Sequence, residues 1–137
     1  MRTTLSLLFL LLFVSACSKV PPITDAYVKF FDKPDYEGQT LTVVHATGPA
    51  VVEARGDIHR MGLAHPDGQQ NGNYNDRAMS VVYLLPKGWS VIVYEDGEFQ
   101  GGQYKLVGTG RLEKIPDLDT LKPPLNQKIS SLKWVQN

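Results

Sequence analysis

Part of the sequence repeats itself, and this repeat restricts the fold more than any other feature. Residues 28–38 (VKFFDKPDYEG) align without gaps on residues 91–101 (VIVYEDGEFQG), 63 residues later. Each copy has an apolar stretch ending in an aromatic residue, four turn-forming residues, a second aromatic, a spacer and a glycine. These motif residues are Phe31, Tyr36 and Gly38 in one copy, and Tyr94, Phe99 and Gly101 in the other. The duplication predicts two similar halves.

The spacing within each copy is that of a β-hairpin. A strand ends at the first aromatic, the acidic loop reverses the chain, and the second aromatic packs back against the first. The glycine then adopts a backbone conformation that other residues avoid. Apolar and polar residues go on alternating in 39–43 and 103–106, as a half-buried strand requires. Two hairpins are therefore predicted.

A second pair of similar segments follows the hairpins. Residues 75–80 (NDRAMS) and 126–131 (NQKISS) lie 51 residues apart, and each precedes a run rich in strand-forming residues. No sustained apolar period of 3.6 residues occurs after the N-terminal stretch, although 112–121 could hold a short helical turn interrupted by Pro116. The sequence thus predicts an all-β domain.

In these residues the chain resembles the βγ-crystallin family. The hairpin pattern matches the Greek-key signature of that family, and the two loops match its Asn/Asp, Asn/Asp, two free positions, Ser/Thr, Ser signature. The resemblance implies a two-motif Greek-key β-sandwich of about eight strands, in which each motif lends a strand to the sheet of the other. It covers residues 27–137, with motif one at about 27–85 and motif two at about 86–137.

The same resemblance implies calcium at the paired loops, because Ca²⁺ prefers oxygen ligands in a flexible shell. The better site would combine a side-chain oxygen, a loop carbonyl, a hydroxyl of the opposite motif and a hairpin carbonyl. The residues concerned are Asp76, Arg77, Ser130, and either Asp32 or Glu95. Since only one carboxylate serves directly, a dissociation constant of roughly 10⁻⁵ to 10⁻³ M is expected.

The second site departs from the family pattern. It would combine Gln127, the carbonyl of Lys128 and the side chain of Met79. A thioether is a poor calcium ligand and the Gln127 amide is neutral, so this site is expected to be lost or very weak. An alternative stays open for both loops, because Asn, Asp and Ser side chains also close turns by bonding their own backbone, which needs no ion.

The first half of the repeat is longer than the second. Gly38 and Asn75 are 37 positions apart, whereas Gly101 and Asn126 are 25 positions apart. The extra residues are predicted to bulge from the framework within 48–74, and binding surfaces concentrate on such loops.

This insertion contains two histidines, His59 and His65. Their spacing does not give the i, i+4 pair of a zinc helix, and no third ligand is indicated, so solvated loop histidines are the preferred interpretation over a metal site. Met61 and Leu63 are expected to cover the edge of the sandwich, and Trp89 and Trp134 to fill the core or the seam between the motifs.

The N-terminal stretch is typical of a secretory signal, with Arg2 followed by an apolar run over 5–14 that is too short to span a bilayer. Residues 14–17 (VSAC) resemble a bacterial lipobox. The resemblance implies a signal peptide at 1–16, a lipidated Cys17, and a Pro-containing tether at 17–26. Ser18 after the cysteine implies the outer membrane rather than the inner one. Simple secretion with an incidental cysteine is the alternative.

Composition and motifs exclude several functions. Fourteen Lys+Arg balance fourteen Asp+Glu, so the charge footprint of a nucleic-acid-binding protein is missing. The single cysteine forms no disulfide within one chain and no Cys-based zinc site. The sequence contains no nucleophile elbow, zinc-protease helix or phosphate-binding loop, and no catalytic residue is indicated.

Two hypotheses follow. The first is a non-catalytic, lipid-anchored protein of the bacterial cell envelope that binds one Ca²⁺ weakly and is stabilised by it. The second is an inhibitor or ligand-binding protein that uses residues 48–74 against a periplasmic or foreign enzyme. It draws on the resemblance, since microbial proteins of similar fold include a metalloprotease inhibitor and a killer toxin. A hydrolytic enzyme ranks below both.

Overall fold

The computed structural model describes residues 26–45, 54–69 and 72–137. In these ranges the chain forms eight strands: β1 (Tyr27–Phe31), β2 (Thr40–Val44), β3 (Ala54–Arg55), β4 (Ser80–Leu84), β5 (Trp89–Asp96), β6 (Gln100–Val107), β7 (Leu112–Ile115) and β8 (Ser131–Gln136). Three short 3₁₀ turns lie at Pro34–Tyr36, Met61–Leu63 and Leu118–Thr120. No helix in these ranges has the length and apolarity needed to cross a bilayer. The predicted signal peptide and Cys17 lie outside the described residues.

The strands form two sheets that enclose one core. The first sheet has the order β3-β2-β1-β4-β7 and the second the order β6-β5-β8. All paired strands are antiparallel except the two-residue pairing of β2 with β3. Alternate side chains point inward, so that Val28 and Phe30 of β1 are fully buried opposite Val91 and Val93 of β5. The predicted all-β, two-motif Greek-key sandwich and its two hairpins are confirmed.

The motifs exchange strands unequally. Motif two contributes β7 to the first sheet, where it pairs along its whole length with β4. Motif one returns a single bridge, in which Ile58 and Leu132 exchange two backbone hydrogen bonds of 2.9 Å. The N–H of Trp134, two residues further along β8, donates to the Asp57 carboxylate at 2.7 Å. A side chain thus replaces part of the strand that motif one would have contributed.

The described part of the insertion is fixed to the framework. Met61 is fully buried, and the Asp67 carboxylate accepts 2.7 Å bonds from the hydroxyls of Thr40 and Thr42 and from the Thr42 N–H. These bonds occupy the outer edge of β2, which would otherwise be exposed. Leu63, expected to cover the edge as well, is instead 78% exposed.

Two further expectations can be compared with the fold. Residues 112–121 begin as strand β7 and form a 3₁₀ turn only after Pro116, because the antiparallel pairing with β4 holds the first part extended. Trp134 is 7% exposed and Trp89 packs partly buried against the core, as predicted. The ring of His45 lies between them, 5.3 Å from each.

Candidate functional site

The two hairpin corners have the same geometry. The ring centroids of Phe31 and Tyr36 are 5.9 Å apart, and those of Tyr94 and Phe99 are 5.7 Å apart. In both corners the second aromatic and the residue before it adopt the left-handed backbone conformation. At Gly38, where φ is 84°, an added Cβ would collide with Oδ1 of Asp32, which explains the glycine. The predicted packing of the aromatic pairs is confirmed.

Two buried serines, Ser80 and Ser131, join the loops to the hairpins. The hydroxyl of Ser80 accepts the Tyr36 N–H at 3.1 Å and donates to the carbonyl three residues before Tyr36 at 2.7 Å. The hydroxyl of Ser131 bonds Phe99 and the carbonyl three residues before it in the same way, at 3.1 and 2.6 Å. The last residue of each loop signature therefore has a structural role, which is the same in both motifs.

The loops meet at one end of the sandwich, which we call the arch end. Asp76 and Gln127 occupy equivalent positions in left-handed conformation, with φ of 54° and 52°. The Ser130 hydroxyl donates a 2.9 Å hydrogen bond to Oδ1 of Asp76, 54 residues away. This contact joins motif two to motif one through two oxygens of the kind that Ca²⁺ binds.

An open cleft of about 340 Å³ surrounds this contact, which we call the arch cleft. Three carboxylates and one ammonium line it, so the local charge favours a cation. The lining residues are Asp76, Glu95, Asp96, Gln127, Lys128 and Ser130. Of the two hairpin residues considered for this site, Glu95 lies in the cleft and Asp32 does not line it.

Asp32 is bound to a cation of the protein itself. Its Oδ2 lies 2.6 Å from Nη2 of Arg77, and its Oδ1 accepts the Gln39 N–H at 2.7 Å. The same guanidinium also donates to the Gln39 side chain. The hairpin carboxylate of motif one is thus neutralised and largely satisfied within its own motif.

The equivalent residues of motif two make a looser pair. Nζ of Lys128 lies 3.4 Å from Oε1 of Glu95, and the two side chains are 51% and 28% exposed. In the Arg77–Asp32 pair the corresponding values are 34% and 17%. Sequence reasoning missed both pairs, although their residues stand at matching positions of the two loops and the two hairpins.

The residues of the arch cleft fit a calcium ion. They offer a carboxylate on Asp76 and a hydroxyl on Ser130, with the negative charge of the hairpin carboxylates nearby, in a site open enough for water to complete the shell. No group of three or more His, Cys, Asp or Glu side chains within metal-binding reach occurs in the described ranges, so such a site would depend on carbonyl, hydroxyl and water ligands.

The second predicted site does not fit. Met79 stands where motif two has Ser130, so no hydroxyl is available, and Arg77 holds the hairpin carboxylate. Because the guanidinium neutralises that carboxylate, the hairpin of motif one adds less negative charge to attract a cation.

The two histidines of the insertion contact different parts of the molecule. Nδ1 of His59 lies 2.9 Å from Oε2 of Glu98, and the His59 ring packs 4.5 Å from the Phe99 ring. The hydrogen bond with His59, supported by Arg60, lowers the pKa of the Glu98 carboxyl. His65 bonds the Gly72 carbonyl at 2.8 Å. His59 thus binds the hairpin of motif two.

No protein-family model matches the sequence, and a search of curated proteins gives no match either. Solved structures do match. A structure solved in work on the evolution of the eye-lens βγ-crystallin domain fold has a TM-score of 0.57 at 18% identity, covering 88% of this chain and 93% of the other.

Two further structures agree. A βγ-crystallin from an archaeon has a TM-score of 0.54 at 17% identity, over 82% of this chain and 100% of the other. A βγ-crystallin from Ciona intestinalis has a TM-score of 0.52 at 19% identity, over 81% and 99%. The domain therefore has a βγ-crystallin-like fold.

Proposed function

We propose that this βγ-crystallin-like domain belongs to a non-catalytic, lipid-anchored protein of the bacterial cell envelope, and that it binds one Ca²⁺ weakly in the arch cleft. The observation that carries the calcium proposal is the 2.9 Å contact between Ser130 and Asp76, which brings ligand oxygens of both motifs together in an acidic cleft. An ion held there would link the two motifs.

Each residue of the cleft has a distinct role in this proposal. Asp76 would supply a charged oxygen, Ser130 a hydroxyl of the other motif, and Arg77 its backbone carbonyl. Glu95 and Asp96 would add negative charge, and the hairpin carbonyl at Glu95 is the fourth protein ligand of the proposal. The ion supplies a cross-link in place of the single hydrogen bond.

The function proposed for the ion is stability. A ligand that binds only the folded state stabilises it by about 2.7 kcal/mol when its concentration is 100 times the dissociation constant. Lys128 acts against the ion, since its ammonium lies 3.4 Å from Glu95. This repulsion supports weak binding, suited to the millimolar calcium of an exterior compartment.

Thermal unfolding of a soluble version that begins at Ser18 tests the calcium proposal. Millimolar Ca²⁺ should raise its Tm by several degrees, and the Asp76→Ala variant should lose that increase. Gln127→Ala is the matched control, because it changes the equivalent residue of the other loop and should keep the increase in Tm. An unchanged Tm in the unsubstituted protein contradicts the proposal.

The anchor is tested separately. The full chain expressed in a Gram-negative bacterium should incorporate labelled fatty acid and fractionate with the outer membrane, whereas Cys17→Ser should do neither. Recovery of both proteins in the same soluble fraction contradicts the lipid anchor and leaves the calcium site unaffected.

One observation favours the second candidate function, an inhibitor or ligand-binding protein. The described part of the insertion is packed at Met61 and hydrogen-bonded at Asp67, and between them it presents Leu63 at 78% exposure. A segment held on both sides of an exposed apolar residue loses less entropy when a protein binds it than a free segment would. Inhibition of purified metalloproteases that Leu63→Asp removes would support this role, and no inhibition at micromolar protein would contradict it.

A further inference from the structure

An apolar row crosses the outer face of the first sheet at one end. Strand register places Tyr27 between Val44 and Leu84, and Leu84 beside Leu112. The following residue of β1, Val28, is fully buried, so the row faces away from the core. Leu112 is 48% exposed and the other three are partly exposed.

The next row on the same face contains two lysines. Register aligns Lys29 with Thr42 on one side and Val82 on the other, and Val82 with Lys114. The Lys114 side chain is exposed at the free edge of β7. In the structure the two lysine ammoniums lie 5.8 and 5.7 Å from the ring centroids of Phe31 and Tyr36, respectively. Long lysine stems can lie along an apolar surface and let the charges reach lipid headgroups beside it.

The row lies where the chain enters the domain. Tyr27 begins β1 directly after Ala26, and Ala26 is only nine positions from Cys17. Fully extended, nine residues span at most about 30 Å. A lipid on Cys17 therefore keeps this end of the first sheet within about 30 Å of the bilayer, while the arch end lies at the opposite ends of the strands.

Charge is distributed to match. Exposed carboxylates at the arch end include Asp35, Asp76, Asp96 and Glu98, whereas Lys87 and Arg111 are exposed in the loops at the row's end. An anionic membrane surface attracts the lysine-bearing end and repels the acidic one.

We propose that the row of Val44, Tyr27, Leu84 and Leu112, with Lys29 and Lys114 behind it, docks on the surface of a bilayer that contains anionic lipid. The inference rests on the lipid anchor proposed above and goes beyond it, because it fixes the orientation of the domain. The arch cleft then faces the aqueous compartment, where calcium is available.

The test uses the full lipidated chain in vesicles of phosphatidylethanolamine and phosphatidylglycerol. Cys17 is the only cysteine and its sulfur carries the lipid, so Leu112→Cys introduces one free thiol for a fluorescent label. Val107→Cys is the matched control, since Val107 is 50% exposed but ends β6 in the other sheet. Spin-labelled lipid should quench the label at position 112 several-fold more strongly than the label at 107.

The outcomes separate the two proposals. A chain that does not float with the vesicles overturns the anchor and this inference with it. A chain that floats but is quenched equally at both positions overturns the docking face alone. The double variant Lys29→Glu, Lys114→Glu should reduce the quenching of the label at position 112 several-fold. Unchanged quenching in this variant overturns the docking. Crosslinking of two copies of the chain through position 112 overturns it as well.

Discussion

The two Greek keys share a framework and differ in the chemistry of their arches. Both corners pack two aromatics at nearly the same distance, and both use a buried serine to bond the hairpin. In the arches, by contrast, Asp76 faces Ser130 across the motifs, whereas Gln127 has only Met79 as its counterpart. The comparison teaches that one backbone geometry can carry two arches with different side-chain chemistry.

Each motif also pairs its hairpin carboxylate with a basic side chain, and the two pairs differ. In motif one Arg77 binds Asp32 closely, and in motif two the longer, more exposed contact between Lys128 and Glu95 leaves the carboxylate more accessible. The protein's own guanidinium thus occupies the carboxylate of the motif-one hairpin, whereas the arch cleft is open to solvent.

The largest losses of stability should come from truncating the buried residue in each of two 3₁₀ turns, one in each motif. Met61 and Leu118 are 0% and 1% exposed, and each donates its N–H to a loop carbonyl of the other motif's arch. Truncation of either residue to alanine should lower the free energy of unfolding of the domain by about 2–5 kcal/mol in urea, because it leaves a cavity in the core. A cost below about 1 kcal/mol for Met61→Ala alone would show that the insertion packs loosely, and that the 3₁₀ turns of the two motifs are not equivalent in stability.

The paired serines should give the next largest effects. Ser80→Ala and Ser131→Ala each leave a hairpin N–H and a carbonyl without their partner, at a cost of about 1–3 kcal/mol. Chemical denaturation should give similar values for both variants, since both hydroxyls are fully buried. If one variant is near neutral, the hairpin of that motif does not depend on its loop.

The two cation pairs should differ from each other. Arg77→Gln should lower the free energy of unfolding by about 1 kcal/mol, and Lys128→Gln by only a few tenths, because the second pair is longer and more exposed. Lys128→Gln should also tighten calcium binding in a fluorescence titration, since the competing charge is gone. Equal losses of stability, with unchanged calcium binding, contradict this account.

The smallest effect concerns pH. The His59 hydrogen bond lowers the pKa of Glu98, so its stabilising contribution is present above the ordinary carboxyl pKa of 4.5 and is lost as pH falls through the lower folded value. Thermal unfolding between about pH 6 and pH 3 should show a slightly greater loss for the unsubstituted protein than for Glu98→Gln.

Asp35 provides the control for this pH prediction. In motif one it occupies the position that Glu98 has in motif two. The Glu98 N–H donates to the carbonyl of His59, whereas the Asp35 N–H donates to that of Pro116, whose side chain cannot form a hydrogen bond. Asp35→Asn, which removes a carboxyl that lacks this contact, is therefore the matched control for Glu98→Gln. A larger change for Asp35→Asn than for Glu98→Gln would argue against the contact.

The framework was predictable because it depends on local spacing. The aromatic pairs and their glycines lie within eight residues of each other, so the aligned repeats suffice to predict the hairpins. The roles of Ser80 and Ser131 follow from the same alignment once the fold is known.

The contacts that join distant segments were not predictable. Arg77 reaches Asp32 over 45 residues, and Asp67 reaches Thr42 over 25, so only the folded arrangement of the insertion and arches brings them together. The choice between Asp32 and Glu95 stayed open for the same reason. Ile58 gave no strand signal, because one bridge and the Asp57 side chain replace a full strand.

The most direct test of the central claim is a calcium titration followed by amide chemical shifts. If only the arch cleft binds the ion, the amides of Asp76, Glu95 and Ser130 should shift together in a saturable manner, while those of Asp32 and Met79 should move little. Shifts of equal size in both groups, or none in either at millimolar Ca²⁺, would contradict the claim that one arch has kept a calcium site and the other has replaced it.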